Sequence, residues 1–300
     1  MILRLLRLIS LSFIALIVAV LMANIFAPRV NVFTYMPATH PTQLERDILA
    51  YDTRTHIATR LARDFSILNY DISQDGRYIV YAARFAGETQ ITLLDILRNE
   101  KRDLLRADVY DPAFSPDGQW IAYRNQERRE RGIWIMPAQG GEAHRVADLP
   151  RPFTWSPDST RIIYTDSTPT DADNGIFIVD IASGEEELFF TTGIYPITMA
   201  WADDDNLILL NTFQLFHYSL NKDELRQFTE FGNIYAHPNL SPDGQQLLAG
   251  YAGFNTDAAG IALYTIDGTY QTSFTPHGMR VGSTNPPGVR VGDAVDWWMQ

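Results

Sequence analysis

Serine and aspartate recur together along this chain in short segments of the Ser-Pro-Asp-Gly type. These residue types could act as a nucleophile and a general acid. In this order, however, proline presets the φ angle of a turn, aspartate accepts local backbone hydrogen bonds, and glycine suits the last turn position. We therefore interpret the segments as structural turns rather than catalytic sites. Together with one degenerate copy, they begin at Ser73, Ser115, Ser156, Ala202 and Ser241.

Other motifs for catalysis or metal binding are missing from the sequence. It has no Gly-x-Ser-x-Gly segment, no phosphate-binding loop and no His-Glu-x-x-His zinc motif. No two of its 6 histidines lie within five residues of each other, and it has no cysteine. Disulfides, thiolate metal sites and a lipid-modified N-terminal cysteine are thereby excluded. We predict no catalytic residue, no cofactor and no metal ligand, which favours a non-enzymatic role.

The charge balance excludes one class of partner. The chain of 300 residues carries 24 lysines and arginines against 36 acidic residues, a formal net charge of -12. Nucleic acid phosphates would be repelled by this excess of negative charge rather than neutralised. We therefore expect no binding to nucleic acid.

The spacing of the turns indicates the fold. Successive copies begin roughly forty residues apart, and short apolar runs typical of strands lie between them. Four antiparallel strands joined by short turns form one blade of a β-propeller. The sequence thus predicts a single all-β propeller domain over residues 29–300. Its full repeats are expected near residues 68–105, 110–147, 151–190, 195–229 and 235–275.

The ends of the chain contain further strand-like segments without partners of their own. Residues 30–61 hold candidates for a second, third and fourth strand, and residues 290–300 hold a candidate inner strand. Joining them would complete a sixth blade and would remove free sheet edges. We predict six blades, with a five-bladed ring as the alternative.

The repeat residues resemble a known family. The segment Pro112–Tyr123, the apolar run Ile133–Met136 and the copies at Phe153–Asp158 and Asn239–Gly244 resemble the TolB-like, or WD40-like PD40, propeller repeats of bacterial envelope proteins. They are also similar to the propeller of dipeptidyl-peptidase-type serine hydrolases, whose catalytic domain we do not expect here. The resemblance implies a propeller, a scaffold that serves many unrelated activities.

The N-terminal segment differs from the repeats. Residues 8–28 carry no charge and are long enough, as a helix, to cross the hydrocarbon core of a bilayer. Arg4 and Arg7 precede this segment and favour a cytoplasmic N-terminus. We predict an uncleaved signal anchor over residues 1–28, which makes the protein a single-pass membrane protein with an extracytoplasmic propeller. The alternative is a cleaved signal peptide and a secreted or periplasmic protein.

The repeat also predicts a binding surface. Residues at one offset before each turn should form a ring around the propeller axis, where propellers commonly bind ligands or protein partners. Asp111 and His237 are the polar members of this ring most able to bind. Their neighbours with useful side chains are Arg151, Tyr195 and Tyr235. The arginine-rich hairpin Arg124–Arg131 is a solvated loop or, alternatively, a contact for an acidic partner or lipid headgroups.

Two functional hypotheses follow. The first is a membrane-anchored extracytoplasmic propeller that binds an envelope protein or a small ligand through one face. The alternative is a propeller enzyme, similar to a glycosidase or a lactonase, with an acidic or metal site at the axis. Acid–base chemistry of that kind needs two convergent carboxylates, which sequence alone does not identify.

Overall fold

The structure is a computed structural model. No helix long and apolar enough to span a membrane occurs in the residues it describes, and the predicted anchor over residues 1–28 lies outside them. For residues 233–237, 252–253, 259 and 295–298 the backbone alone is described. The described residues are 32–36, 45–53, 55–85, 87–166, 175–211, 214–229, 233–241, 244–253, 259–274 and 295–298.

All regular secondary structure in this part of the chain is β-strand. The strands of the N-terminal half are β1 (Val32–Tyr35), β2 (Glu45–Asp52), β3 (Ile57–Phe65), β4 (Ile67–Ile72), β5 (Tyr78–Phe85), β6 (Glu88–Asp95), β7 (Glu100–Ala107), β8 (Val109–Phe114), β9 (Trp120–Asn125), β10 (Gly132–Pro137), β11 (His144–Ala147) and β12 (Phe153–Trp155). Those of the C-terminal half are β13 (Arg161–Asp166), β14 (Gly175–Asp180), β15 (Glu186–Thr191), β16 (Thr198–Trp201), β17 (Asn206–Leu210), β18 (Leu215–Ser219), β19 (Glu224–Gln227), β20 (Asn233–Leu240), β21 (Gln246–Gly253), β22 (Ala259–Thr265), β23 (Tyr270–Phe274) and β24 (Val295–Trp298).

These strands form six antiparallel sheets of four strands, which are the blades of a propeller. Five blades use consecutive strands, namely β4–β7, β8–β11, β12–β15, β16–β19 and β20–β23. They coincide with the five predicted repeats. The inner strands β4 and β8 contact each other, as do β12 and β16, β16 and β20, β20 and β24, and β24 and β4. The indole of Trp155 on β12 donates a hydrogen bond to the carbonyl of Ala113 on β8 at 3.3 Å. This bond links the remaining pair of neighbouring inner strands, so the six inner strands form a closed ring.

The sixth blade joins the two ends of the chain. Its order is β24-β1-β2-β3, so the last strand is the inner strand and the three first strands lie outside it. Val32 is paired with Trp298 and Tyr35 with Val295 in an antiparallel register. The prediction of six blades closed by terminal strands is confirmed, and the five-bladed alternative is wrong.

The Ser-Pro-Asp-Gly segments are turns between the first and second strands of their blades. In the second blade, the Ser115 hydroxyl donates to Asp117 at 2.5 Å and accepts from the Trp120 backbone N–H at 3.0 Å. Asp117 also accepts from the Gln119 N–H at 3.0 Å, and Gly118 takes φ 70°. The same serine-to-backbone bond recurs at Ser73, Ser156 and Ser241.

Hydrogen bonding within the turn of the third blade also keeps its aspartate ionised. Burial raises the pKa of Asp158, but hydrogen bonds from Ser156 and Thr160 outweigh that effect and lower the pKa to about 2. Such a carboxylate stays ionised as an acceptor for the turn. The interpretation of these serines and aspartates as turn residues is therefore confirmed by their contacts.

The core lies between the blades rather than within any one of them. Each second strand is covered on both faces, and runs such as Ile79–Ala82 and Leu207–Leu210 are completely or almost completely buried. Hydrophobic clusters each combine residues of two neighbouring blades; one of them joins Ile48 of the sixth blade to Ile79 and Leu94 of the first. Burying one such side chain stabilises the fold by about 1.5–3 kcal/mol. Every blade therefore depends on its neighbours.

The antiparallel order gives the propeller two different ends. We call one the turn end, where the inner strands finish at the Ser-Pro-Asp-Gly turns. We call the other the loop end, where the inner strands begin and where the hairpin 126–131 and the connection 148–152 lie. Val32 is paired with the last residue of the inner strand β24 and therefore lies at the turn end.

Removal of the closing strand tests this architecture. A chain truncated after residue 294 lacks β24, so β1 and the inner strands beside it lose their partners. We expect its thermal midpoint to fall by about 10 °C or more. The truncation should lower the free energy of unfolding by several kcal/mol, and each kcal/mol lowers the midpoint of a domain of this size by a few degrees. The measurement is circular dichroism during heating. The matched control is truncation after residue 298, which retains β24, and an equal midpoint for the two truncations would contradict ring closure by this strand.

Candidate functional site

Asp111 occupies an irregularity at the loop end of the second blade. The pairing of β8 with β9 shifts between Tyr110 and Ala113, so Asp111 and Pro112 lie in a β-bulge. Pro112 has no N–H to donate to the ladder, which suits a bulge. Asp111 has φ 51°, a left-handed conformation that aspartate tolerates better than most residues. Bulges of this kind re-aim side chains and are common beside functional sites.

The same irregularity occurs in the fifth blade. The pairing of β20 with β21 shifts around His237 and Pro238, just as the pairing in the second blade shifts around Asp111 and Pro112. The backbone therefore places Asp111 and His237 at corresponding positions, as their common offset from the turn predicts. The side chains of Tyr235 and His237 lie outside the described part of the structure, so their binding role stays a prediction.

Asn69 of the first blade holds Asp111 across the blade boundary. Its carbonyl oxygen accepts from the Asp111 backbone N–H at 3.1 Å, and its amide nitrogen donates to the Asp111 carboxylate. Asn69 lies four residues before Ser73, as Asp111 lies four residues before Ser115, so the two occupy the same ring position in neighbouring blades. The two ring positions are thus in direct contact, and the left-handed backbone of Asp111 is stabilised by a reciprocal pair of hydrogen bonds.

Arg124 is a member of this site that the sequence did not connect with Asp111, because its segment was interpreted as a solvated loop or a contact for a partner. It lies at the end of β9 opposite Tyr110, and its guanidinium forms an ion pair with the second oxygen of Asp111. It also donates to the carbonyl of Pro150 at 3.4 Å, while its Nε is buried without a partner among the described residues. The Arg124 side chain is only 22% exposed, so this pair is shielded from water more than a surface salt bridge.

Arg151 continues the polar contacts into the third blade. It follows Pro150, whose carbonyl binds Arg124, and its guanidinium lies 3.7 Å from the carboxylate of Asp166 at the end of β13. A chain of contacts therefore runs from Asn69 through Asp111 and Arg124 to this connection. It links three blades at the loop end, and we call its members the polar chain: Asn69, Asp111, Arg124, Pro150, Arg151 and Asp166.

Tyr195 is placed at the same end but apart from these contacts. It lies shortly before β16, is partly buried, and makes no side-chain hydrogen bond to the described residues. The structure thus connects Asp111 and Arg151 of the predicted site and leaves Tyr195 outside their network.

A shallow concavity of about 610 Å³ opens beside the polar chain. It is lined by Asp108, Tyr110, Arg124, Gln126 and Arg131. Asp108 and Tyr110 come from the start of the inner strand β8, Arg124 comes from β9, and Gln126 and Arg131 come from the hairpin between β9 and β10. The surface offers both donors and acceptors for hydrogen bonds, together with one aromatic ring.

The chemistry of these residues suits recognition. Within the described ranges, no group of three or more His, Asp or Glu side chains is placed to hold a metal ion. The Asp111 carboxylate is occupied by Asn69 and Arg124 rather than poised for proton transfer. The polar chain is therefore a positioning network, with the concavity as its accessible surface.

The family to which this fold belongs follows from its repeats. A family model described as the TolB beta propeller domain, PD40, matches residues 56–283. The chain belongs to the TolB β-propeller family. The match covers all five consecutive blades and the fourth strand of the closing blade almost entirely, in agreement with the resemblance seen in the repeat residues.

Solved structures and a sequence relative extend this comparison. TolB from Acinetobacter baumannii superposes with a TM-score of 0.70 at 15% identity, over 89% of this chain and 66% of that chain. An acylaminoacyl peptidase of Pyrococcus horikoshii has a TM-score of 0.52 at 15% identity, over 80% and 44%. The Bacillus subtilis protein named uncharacterized peptidase YuxL is 29% identical over 143 residues, which are 46% of this chain and 21% of that protein. The similarity to TolB and to peptidase propellers is thus a similarity of fold, and the chain matches only a fifth of the length of its curated relative.

The ion pair at the centre of the polar chain is testable. Asp111→Asn retains a residue that tolerates φ 51° but removes the charge beside a largely buried guanidinium. We expect the free energy of unfolding to fall by about 1–3 kcal/mol, as measured by urea denaturation. The matched variant Asp166→Asn removes the longer, more exposed pair with Arg151 and should cost less than about 1 kcal/mol. An equal or smaller effect at Asp111 would contradict the role of this pair.

Proposed function

We propose that this protein is a membrane-anchored extracytoplasmic binding module of the bacterial envelope, and that its loop end binds a protein partner. The observation that carries the proposal is the polar chain with its adjoining concavity. Three blades contribute to one pre-positioned surface whose outer side chains remain available. Rigid positioning of this kind lowers the entropy lost on binding.

Membership in the TolB propeller family supports a role outside the cytoplasm, since the repeats resemble those of bacterial envelope proteins. The uncharged segment 8–28, preceded by Arg4 and Arg7, supports a single membrane span with a cytoplasmic N-terminus. The carboxylate and guanidinium of the polar chain are already paired with each other, which favours binding over turnover.

Site-specific photo-cross-linking in cells tests the binding surface. A photoreactive phenylalanine analogue replaces Tyr110 or Tyr195 at the loop end of the full chain, and Gln119 or Lys222 at the turn end in the controls. We expect the two loop-end positions to capture the same envelope protein and the turn-end positions to capture none. Capture from the turn end alone, or no adduct from either loop-end position, would refute the proposed surface.

Membrane fractionation tests the anchor. The full chain should remain in membranes after an alkaline carbonate wash. Replacing Leu16 and Val18 with arginine should release most of it, because each arginine at the centre of a span costs about 2.5–3.5 kcal/mol. Replacing the same two residues with isoleucine is the control and should retain the chain. A mature protein whose mass shows loss of the first 28 or so residues would instead establish a cleaved signal peptide.

A further inference from the structure

We propose that the concavity lined by Tyr110, Gln126 and Arg131 binds a carboxylate side chain on a protein segment of mixed charge. This inference rests on the proposed function, because it names the chemistry by which the loop end would recognise its partner. The occupant is an aspartate or glutamate of the partner, with Asp108 available to accept from a neighbouring N–H or cation of the same segment.

The first argument is the set of unused hydrogen-bonding groups. The hydroxyl of Tyr110, the amide of Gln126 and the guanidinium of Arg131 make no side-chain hydrogen bond or ion pair with the described residues. All three line the same concavity of about 610 Å³. An arginine with a free planar fork matches a carboxylate in two parallel hydrogen bonds, and the tyrosine and glutamine can donate to the remaining lone pairs.

The second argument is that Arg124, beside these groups, is held in place by its own contacts. Arg124 also lines the concavity, and its guanidinium is held by Asp111 and by the carbonyl of Pro150. It cannot turn outward without breaking its ion pair with Asp111. Arg124 therefore shapes the pocket, whereas the exposed Arg131 remains free to bind.

The third argument is charge balance, which selects a protein segment over a polyanion. The segment 124–131, which includes the hairpin, carries four arginines and two glutamates: Arg124, Arg128, Arg129 and Arg131, with Glu127 and Glu130. Asp108 and Asp111 offset the remaining positive charge at its base. A surface with almost no net charge exerts little long-range attraction on a lipid bilayer or a nucleic acid. It can still form individual ion pairs at contact distance.

The test measures a peptide probe against the full-length protein in a neutral detergent. The probe is a fluorescein-labelled peptide of alternating glutamate and lysine, and its partner probe has glutamine in place of glutamate. We expect the glutamate probe to bind more tightly by about tenfold or more, the effect of one charge-assisted hydrogen-bonded pair. Arg131→Glu should remove this preference, and Tyr110→Phe should reduce it by several-fold.

The matched control is Arg60→Glu, which makes the same charge change. Arg60 is exposed on β3 and has no side-chain partner among the described residues, so this variant should bind the probe as the native protein does. Equal binding of the two probes, or equal losses in R131E and R60E, would overturn the proposal. Binding to vesicles containing phosphatidylglycerol, with no preference between peptides, would assign the hairpin to lipid and would also overturn it.

A second measurement separates this proposal from the proposed function. Cross-linking from the analogue at Tyr195 is repeated in cells that carry R131E. Loss of the adduct, with retention in R60E, supports the carboxylate pocket. An undiminished adduct in R131E would refute the pocket while leaving the loop end as a binding surface. Binding of the peptide probe without any cross-linked adduct in cells would instead refute the proposed function, that the loop end binds an envelope protein.

Discussion

The structure depends on one antiparallel pairing between the two ends of its chain. β1 and β24 are separated by almost the whole sequence, yet their backbone groups pair in register from Val32 to Tyr35. This pairing closes the ring and removes the free edges that an open row of blades would leave at both ends. Because the hydrophobic core lies between blades, closure also gives the first and last blades a neighbour on each side. The same pairing fixes Val32 at the turn end.

A second constraint makes the two ends of the propeller chemically different. Each inner strand must reverse at a turn, and the turn places an aspartate where it accepts hydrogen bonds from serine and backbone groups. At Asp158, hydrogen bonds from Ser156 and Thr160 lower the pKa to about 2, so this carboxylate stays ionised as an acceptor for its turn. The loop end has no such requirement. Its hairpins differ in length and composition from blade to blade, and one of them brings Arg124 against Asp111.

Sequence reasoning succeeded where the signal was local and repeated. Proline, aspartate and glycine at Pro116–Gly118 fix a turn through their own backbone preferences, and five such turns define the blades. The corresponding positions of Asp111 and His237 follow from their offset to these turns. Closure of the sixth blade could be inferred because terminal strands without partners must pair.

The role of Arg124 could not be inferred in this way, since the charged sequence around it favours a solvated loop. Its link to Asp111 depends on the bulge at Pro112 and on the approach of Pro150 from the next blade. The available signal was chemical, because a carboxylate predicted near the axis needs a cation, and Arg124 lies on the adjacent strand opposite Tyr110.

The contacts of the polar chain stabilise a strained backbone conformation at Asp111. A left-handed conformation at Asp111 is unfavourable for a residue with a side chain, at about 1–2 kcal/mol. The reciprocal bonds from Asn69 and the ion pair with Arg124 offset that cost, and they require two blades to meet in one register. Removal of Asn69 or Arg124 would leave Asp111 with only one of its two side-chain partners, so the three side chains stabilise one another. These contacts hold the side chains of Asp111 and Arg124 in place at the edge of the concavity. Side chains that are already positioned lose less conformational freedom on binding, and this is the physical argument for the proposal that the loop end binds a partner.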